Sequence, residues 1–237
     1  MKTLIFDIET VGEDWNSLDE TTQSVLTRWV EQSSKSEEEK TAGIKGVQEG
    51  LGFSPLTGFV VAIALYDLER GAGVVYYTGK GSESDEEVLG YTLKQRSEEE
   101  MLKDFWEGAK SYDTFVTFNG RGFDVPFLLH RSVARGIKPT VSLMDGRYLY
   151  QQRGAKHIDL QDQLTFYGAM QKRPNLHLFC RAFGIESPKA EGVAGDDVAE
   201  LVRTETIFFE TEHWRVRWDY GGSKSKQCLA GEIGRLA

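Results

Sequence analysis

Residues 1–10 read MKTLIFDIET. The run Thr3-Leu4-Ile5-Phe6 has the apolar character of a buried strand, and it ends in two carboxylates one residue apart, Asp7 and Glu9. Alternate side chains of a strand share a face, so Asp7 and Glu9 point one way while Phe6 and Ile8 point the other. Two like charges that close repel unless water solvates them or a cation lies between them. Both readings stay open on these ten residues, and the rest of the chain has to decide between a solvated strand end and a pair of ligands.

Outward from this strand, residues 14–50 are polar and acid-rich, with Val25, Leu26, Trp29 and Val30 at amphipathic helical spacing. This predicts a helical insertion, with SSKSEEEK as a solvated turn or helix start. The stretch TGFVVAIALYDLERGAGVVYYTGK holds two apolar, aromatic-rich runs about a glycine-containing turn, which predicts a hairpin. In SEEEMLKDFWEGAK, Ser97 and Glu100 have the spacing of a capping box at a helix start. YDTFVTFNG reads as a strand, and FDVPFLLHRSVARG as a helix with Pro126 in its first turn and Gly136 at its end. PNLHLFCRAFG places Leu176, Phe179, Cys180 and Phe183 on one helical stripe, and GDDVAELV starts another helix. Three leading strands followed by alternating helices and strands make an α/β domain with a mixed sheet.

At 237 residues, 40% hydrophobic and 27% charged, the chain has the composition of a globular protein able to bury a substantial core. No stretch approaches the roughly 18 apolar residues of a membrane span, so no membrane partner is expected. The start, one lysine followed by a strand carrying acids, does not read as a signal peptide. Cys180 and Cys228 are too few for a disulfide framework and suit a reducing, cytoplasmic setting. The net charge of −9 argues against nucleic acid at first sight, but it is unevenly spread. Residues 1–120 carry 11 basic and 23 acidic side chains, whereas residues 121–190 carry 11 basic and 5 acidic. A basic middle third is able to follow a phosphate backbone, and an ordinary solvated surface is the alternative.

A second acidic block lies in TFVTFNGRGFDVPFLL. Taken singly, Asp124 reads as a helix N-cap and Asn119-Gly120 as a turn. Taken with FDIET on the first strand, the pair of blocks resembles DEDD-type 3′–5′ exonucleases, closest to predicted exonucleases related to the proofreading domain of family B DNA polymerases. The likeness runs on through HIDLQDQLTFYGAM and NLHLFCRAFGI, so it covers most of residues 1–205 apart from the helical insertion at about 14–56. It implies a ribonuclease H-like fold and a 3′–5′ exonuclease acting on nucleic acid, with single-stranded 3′ ends and DNA favoured as substrate.

The chemistry accounts for the residue types. Phosphodiester hydrolysis needs an activated water and a neutralised leaving oxygen, which two divalent metals supply together. Mg2+ and Mn2+ take hard oxygen ligands, hence carboxylates rather than His or Cys. By the resemblance, Asp7 bridges both metals, Glu9 holds the metal that generates hydroxide, and Asp124 anchors the leaving-group metal. Thr10 and Asn119 then sit against the terminal nucleotide. Phe123 has two readings, a ring stacked on a base and a core side chain, the second the commoner for a phenylalanine.

The resemblance breaks in the tail, residues 206–237. The family carries a fourth carboxylate on a late helix, with a Tyr four residues or a His five residues before it. Asp219 lies at a suitable distance along the chain, but Arg215 stands four residues before it and His213 six. Trp214, Val216, Trp218 and Tyr220 alternate with Arg215, Arg217 and Asp219, which is a strand period. Two explanations stay open: a divergent tail in which Asp219 still reaches the metal, or a tail altered by a change of reading frame near residue 207. Asp196 and Asp197 read as a helix N-cap, and Asp159 as a structural residue at a helix start.

His130, His157, His177 and His213 lack zinc spacing, and GAGVV belongs to the hairpin rather than to a phosphate loop. The expected function is a metal-dependent exonuclease. The alternative is a catalytically impaired nucleic-acid-binding module of the same fold, and a ribonuclease H-type endonuclease is disfavoured by the D-x-E pair on the first strand.

Overall fold

The computed structural model describes residues 1–79, 85–88 and 90–185. Asp196, Asp197, His213, Asp219 and Cys228 lie outside the described residues.

The opening stretch forms β1 (Thr3–Gly12), the spine of the sheet. The acid-rich segment that follows is the expected insertion, α1 (Glu20–Ser33) and α2 (Glu37–Glu49), capped by the Asp19 and Ser36 side chains. Only Thr27 and Val30 are buried along α1, so these helices lie on the domain rather than within its core. The chain returns as the hairpin β2 (Gly58–Asp67) and β3 (Ala72–Tyr77), turning through Gly71 at φ +67°, a backbone angle that favours glycine.

Two short strands then extend the edge, β4 (Glu86–Val88) and β5 (Tyr91–Gln95). The expected alternation follows: α3 (Glu98–Ala109), β6 (Thr114–Thr117) and α4 (Asp124–Ala134). Ser97 and Glu100 close the capping box of α3 reciprocally. Then come β7 (Lys156–Asp159), α5 (Leu160–Leu164) and α6 (Leu176–Ala182).

Among the described residues the sheet has seven strands in the order β4-β5-β3-β2-β1-β6-β7. β2 runs antiparallel to its two neighbours β1 and β3, while β6 runs parallel to β1 and β7 parallel to β6. β5 lies parallel to β3 and antiparallel to β4. The two-residue period of β1 divides its apolar side chains between two cores. Leu4, Phe6 and Ile8 pack with Met101, Phe105 and Trp106 of α3 and with Val125 and Leu128 of α4. Ile5 faces the other way, among Val116, Leu160, Phe179 and Cys180. Each large side chain buried by α3 stabilises the domain by about 1.5–3 kcal/mol, which is why this 12-residue helix holds its place on the sheet.

Cys180 is a plain core residue of α6. Phe183, placed by its spacing on the same stripe, is 48% exposed because α6 ends at Ala182.

Candidate active site

β1, β6 and β7 are parallel, so their carboxyl ends lie at one edge of the sheet, where ligands of open α/β sheets commonly bind. Asp7 and Glu9 lie in the middle of β1. They continue the face of Ile5, and both are half-buried. A β-bulge follows at once: Glu9 pairs with Ala62, yet Thr10 pairs with Val60. Such bulges bend a strand and re-aim its side chains. The Thr10 hydroxyl donates to the Gly52 carbonyl at 2.7 Å, tying the strand end to the close of the insertion.

Asp124 arrives from the other side. β6 pairs with β1 only over Thr3–Ile5, then turns away. The Ile8 amide lies beyond that pairing, and it donates to Asp124 Oδ1 at 3.1 Å. Asp124 is 3% exposed and is the first residue of α4; the cap position falls on Phe123, whose side chain makes no capping bond. The single-residue reading of Asp124 as an N-cap is therefore wrong. Its carboxylate serves a strand 116 residues away, at the peptide between Asp7 and Glu9.

The turn from β6 into α4 is held by Asp159, which the sequence marks only as a structural residue at a helix start. The Asp159 carboxylate accepts from the amides of Asn119 and Arg121, both at 2.9 Å, and from that of Gln161 at 3.0 Å. It thus caps α5 and clamps the turn at once. The only sequence signal is the position of Asp159 at a helix start. Asn119 sits at φ +61°, a conformation asparagine tolerates better than most residues. A Cβ on Gly120 would lie 2.2 Å from Thr117 Oγ1, so that position must be glycine.

Beneath the turn, His157 is buried between Thr117 Oγ1 on Nε2 and the Leu143 carbonyl on Nδ1, both 2.9 Å away. Burial pushes its pKa down to about 4, against the bond to Leu143, so the ring is neutral. Phe123 is partly buried, packed against the main core with its ring 5.5 Å from that of Phe127.

α4 is fixed from behind by an ion pair. Glu98 accepts from Arg131 through both carboxylate oxygens at 2.8 Å, from Arg135 at 2.9 Å and from the Val60 amide at 3.0 Å. Burial raises the Glu98 carboxyl pKa, but these donors outweigh it and leave the group below its ordinary value. α3, α4 and β2 are thereby locked together, with Asp124 two turns ahead of Arg131.

The donors match a hard dication in kind, being two half-exposed carboxylates on one strand face and a third beside the peptide that joins them. They do not close a site by themselves. Among the described residues, no three His, Cys, Asp or Glu side chains are grouped so that they could hold a metal ion.

Residues 66–209 match the model of a family described as a predicted 3′–5′ exonuclease related to the exonuclease domain of PolB. The chain belongs to this family. The match covers Asn119, Phe123, Asp124 and Asp159, begins past Asp7 and Glu9, and ends before Asp219. The family B DNA polymerase of the hyperthermophilic archaeon Pyrobaculum calidifontis superposes with a TM-score of 0.53 at 16% identity. That alignment takes in 99% of this chain and 24% of the polymerase, so the chain spans about a quarter of that protein's length. At this identity the likeness shows the fold, and the fold of this exonuclease-family chain is ribonuclease H-like. No curated protein sequence matches it. No helix among the described residues is long and apolar enough to cross a membrane.

Proposed function

We propose that the chain is a metal-dependent 3′–5′ exonuclease of single-stranded 3′ ends, DNA before RNA, working in a cytoplasmic setting. The observation that carries this reading is the bond from the Ile8 amide to Asp124, which puts a third carboxylate beside the D-x-E pair. Two Mg2+ or Mn2+ ions, when bound, would supply a hydroxide at neutral pH and would neutralise charge on the leaving 3′ oxygen. Asp7, Glu9 and Asp124 are the protein's carboxylate ligands, and Asp219 is the fourth. Asp7 and Glu9 present their oxygens from one strand face, and the bulge after Glu9 sets their direction. Asp124, held at the Ile8 amide, would hold the metal on the leaving-group side. Asn119 lines the end of the site against the terminal nucleotide, and Thr10 keeps the strand end in place.

The test is degradation of a 5′-labelled single-stranded DNA oligonucleotide with manganese, comparing the protein with its Asp7→Ala and Asp124→Asn variants. A ladder shortening from the 3′ end, lost in both variants, supports the reading. Equal inertness of all three proteins, with no manganese binding at millimolar concentration, refutes it.

A second reading is a nucleic-acid-binding module of the same fold that lacks a working site. It is favoured by the failure of Asp7, Glu9 and Asp124 to close a metal-holding group among the described residues. Tight oligonucleotide binding by an inert protein distinguishes it.

A further inference from the structure

Beyond the acidic site, the segments before β7 and after α5 carry a group of aromatic rings that the core clusters do not include. Tyr148 and Tyr150 stack at 5.6 Å with their planes 15° apart, and Tyr150 is 82% exposed. Tyr148 also lies 4.5 Å from Tyr167. Next to Tyr167, Phe166 is 73% exposed. Both residues adopt left-handed backbone angles, φ +51° for Phe166 and +57° for Tyr167. A bulky residue in that region costs about 1–3 kcal/mol, and here two stand in succession. Burial does not offset that cost for Phe166, whose ring is turned to solvent.

A chain of contacts joins these rings to the acidic turn. The Arg121 guanidinium, three residues before Asp124, donates to the carbonyls of Leu143 and Asp145. Arg147, beside Tyr148, pairs with Asp162 at 2.6 Å, and the Tyr167 amide donates to the Asp162 carbonyl. Asp162 in turn follows Asp159, the clamp on Asn119 and Arg121. The segments bearing the rings also expose Arg153, Lys172 and Arg173. Their acids are engaged: Asp159 is buried, Asp162 is paired with Arg147, and Asp145 accepts the Arg153 amide.

We propose that Tyr148, Tyr150, Phe166 and Tyr167 form a stacking platform for the bases of single-stranded nucleic acid bound at the Asp7–Glu9–Asp124 site. This rests on the exonuclease reading for the destination of the strand and deepens it by naming the surface that holds the strand. Flat exposed rings among exposed cations suit a strand whose bases are unpaired. Bases stack on aromatic side chains without regard to sequence, and cations follow the phosphates. A duplex, with its bases stacked on one another, offers those rings nothing.

The experiment is fluorescence anisotropy of the full chain in EDTA, where no cleavage occurs. The probes are 5′-fluorescein-labelled (dT)15, (U)15 and a blunt DNA duplex of the same length. The proteins are the wild type, Tyr150→Ala/Phe166→Ala and Tyr150→Phe/Phe166→Tyr. The platform predicts tighter binding of a single strand than of duplex, and the order of (dT)15 and (U)15 assigns the preferred sugar. The alanine pair weakens single-strand binding by at least about tenfold, and the aromatic pair restores it. An alanine pair that binds as tightly as wild type overturns the proposal, as does a wild type that prefers duplex or binds neither single strand. The manganese ladder separates the two readings. A ladder with unimpaired binding by the alanine pair removes the platform and keeps the exonuclease, whereas lost binding in a protein that makes no ladder keeps the platform and removes the catalysis.

Discussion

The Asp124 carboxylate accepts the amide proton of Ile8 at 3.1 Å, joining the first turn of α4 to the peptide between Asp7 and Glu9. One side chain therefore has a structural bond and, in the proposed reaction, a ligand's place. Asp124→Asn keeps an acceptor for the amide and removes the charge. Asp124→Ala leaves a buried N–H without its partner, at a cost of about 1–3 kcal/mol. The expected outcome is a urea midpoint near wild type for Asn and clearly lower for Ala, with 3′-end cleavage reduced at least about 100-fold in both. Cleavage retained by Asp124→Asn would remove Asp124 from the chemistry.

Asp159 controls the turn that delivers Asp124. With Asp159→Ala, the amides of Asn119, Arg121 and Gln161 lose their acceptor, and stability falls by about 3 kcal/mol. Hydrogen exchange locates the effect. The Asn119 and Arg121 amides should exchange much faster in the variant at equal global stability, whereas unchanged protection there would deny the clamp.

Glu98 is the acceptor at the centre of a buried pair, and Arg131, 7% exposed, has its guanidinium over the Phe59 ring at 4.9 Å. Glu98→Gln leaves that cation without its counter-charge and costs about 3–5 kcal/mol. Chemical denaturation should show a lower midpoint with an unchanged denaturant slope. A loss below about 1 kcal/mol would mean that α4 is held by its apolar face rather than by the pair.

His157 gives the domain a pH-dependent component of stability. Its folded-state pKa is lowered to about 4, against an ordinary value of 6.5, so the unfolded chain takes up the proton first as pH falls. The contribution is whole above pH 6.5, declines between 6.5 and 4, and reaches a loss of about 3 kcal/mol at the lower end. Unfolding free energies at pH 7.5 and 5 should differ in the wild type. The part of that difference due to the ring should vanish in His157→Gln.

Much of this protein is legible in its residues because the information is local. The period of Leu4, Phe6 and Ile8 against Ile5, Asp7 and Glu9 is enough to place both carboxylates on one strand face. Ser97 and Glu100 mark a helix start, and Pro126 and Gly136 bound α4, because capping and φ restriction act within one turn. The strands β4 and β5 escape such a reading, being only three and five residues long, and their pairing depends on neighbouring strands.

Relationships between residues far apart in the chain arise only in the folded domain. Asp124 looks like an N-cap in its own stretch, and it becomes the partner of Ile8 because β6 stops pairing with β1 at Ile5 and leaves that amide open. Asp159 looks like a cap, and it is also a clamp, because β7 runs parallel beside β6 and ends level with the turn. Tyr148 and Tyr167 are ordinary residues singly and meet only when α5 folds back. The sequence determined which residues form strands and helices, and so the α/β class and the face carrying Asp7 and Glu9, since periodicity and propensity act over a few residues. The site's third carboxylate, its clamp and its aromatic surface depend on strand register and loop closure, which no local pattern encodes.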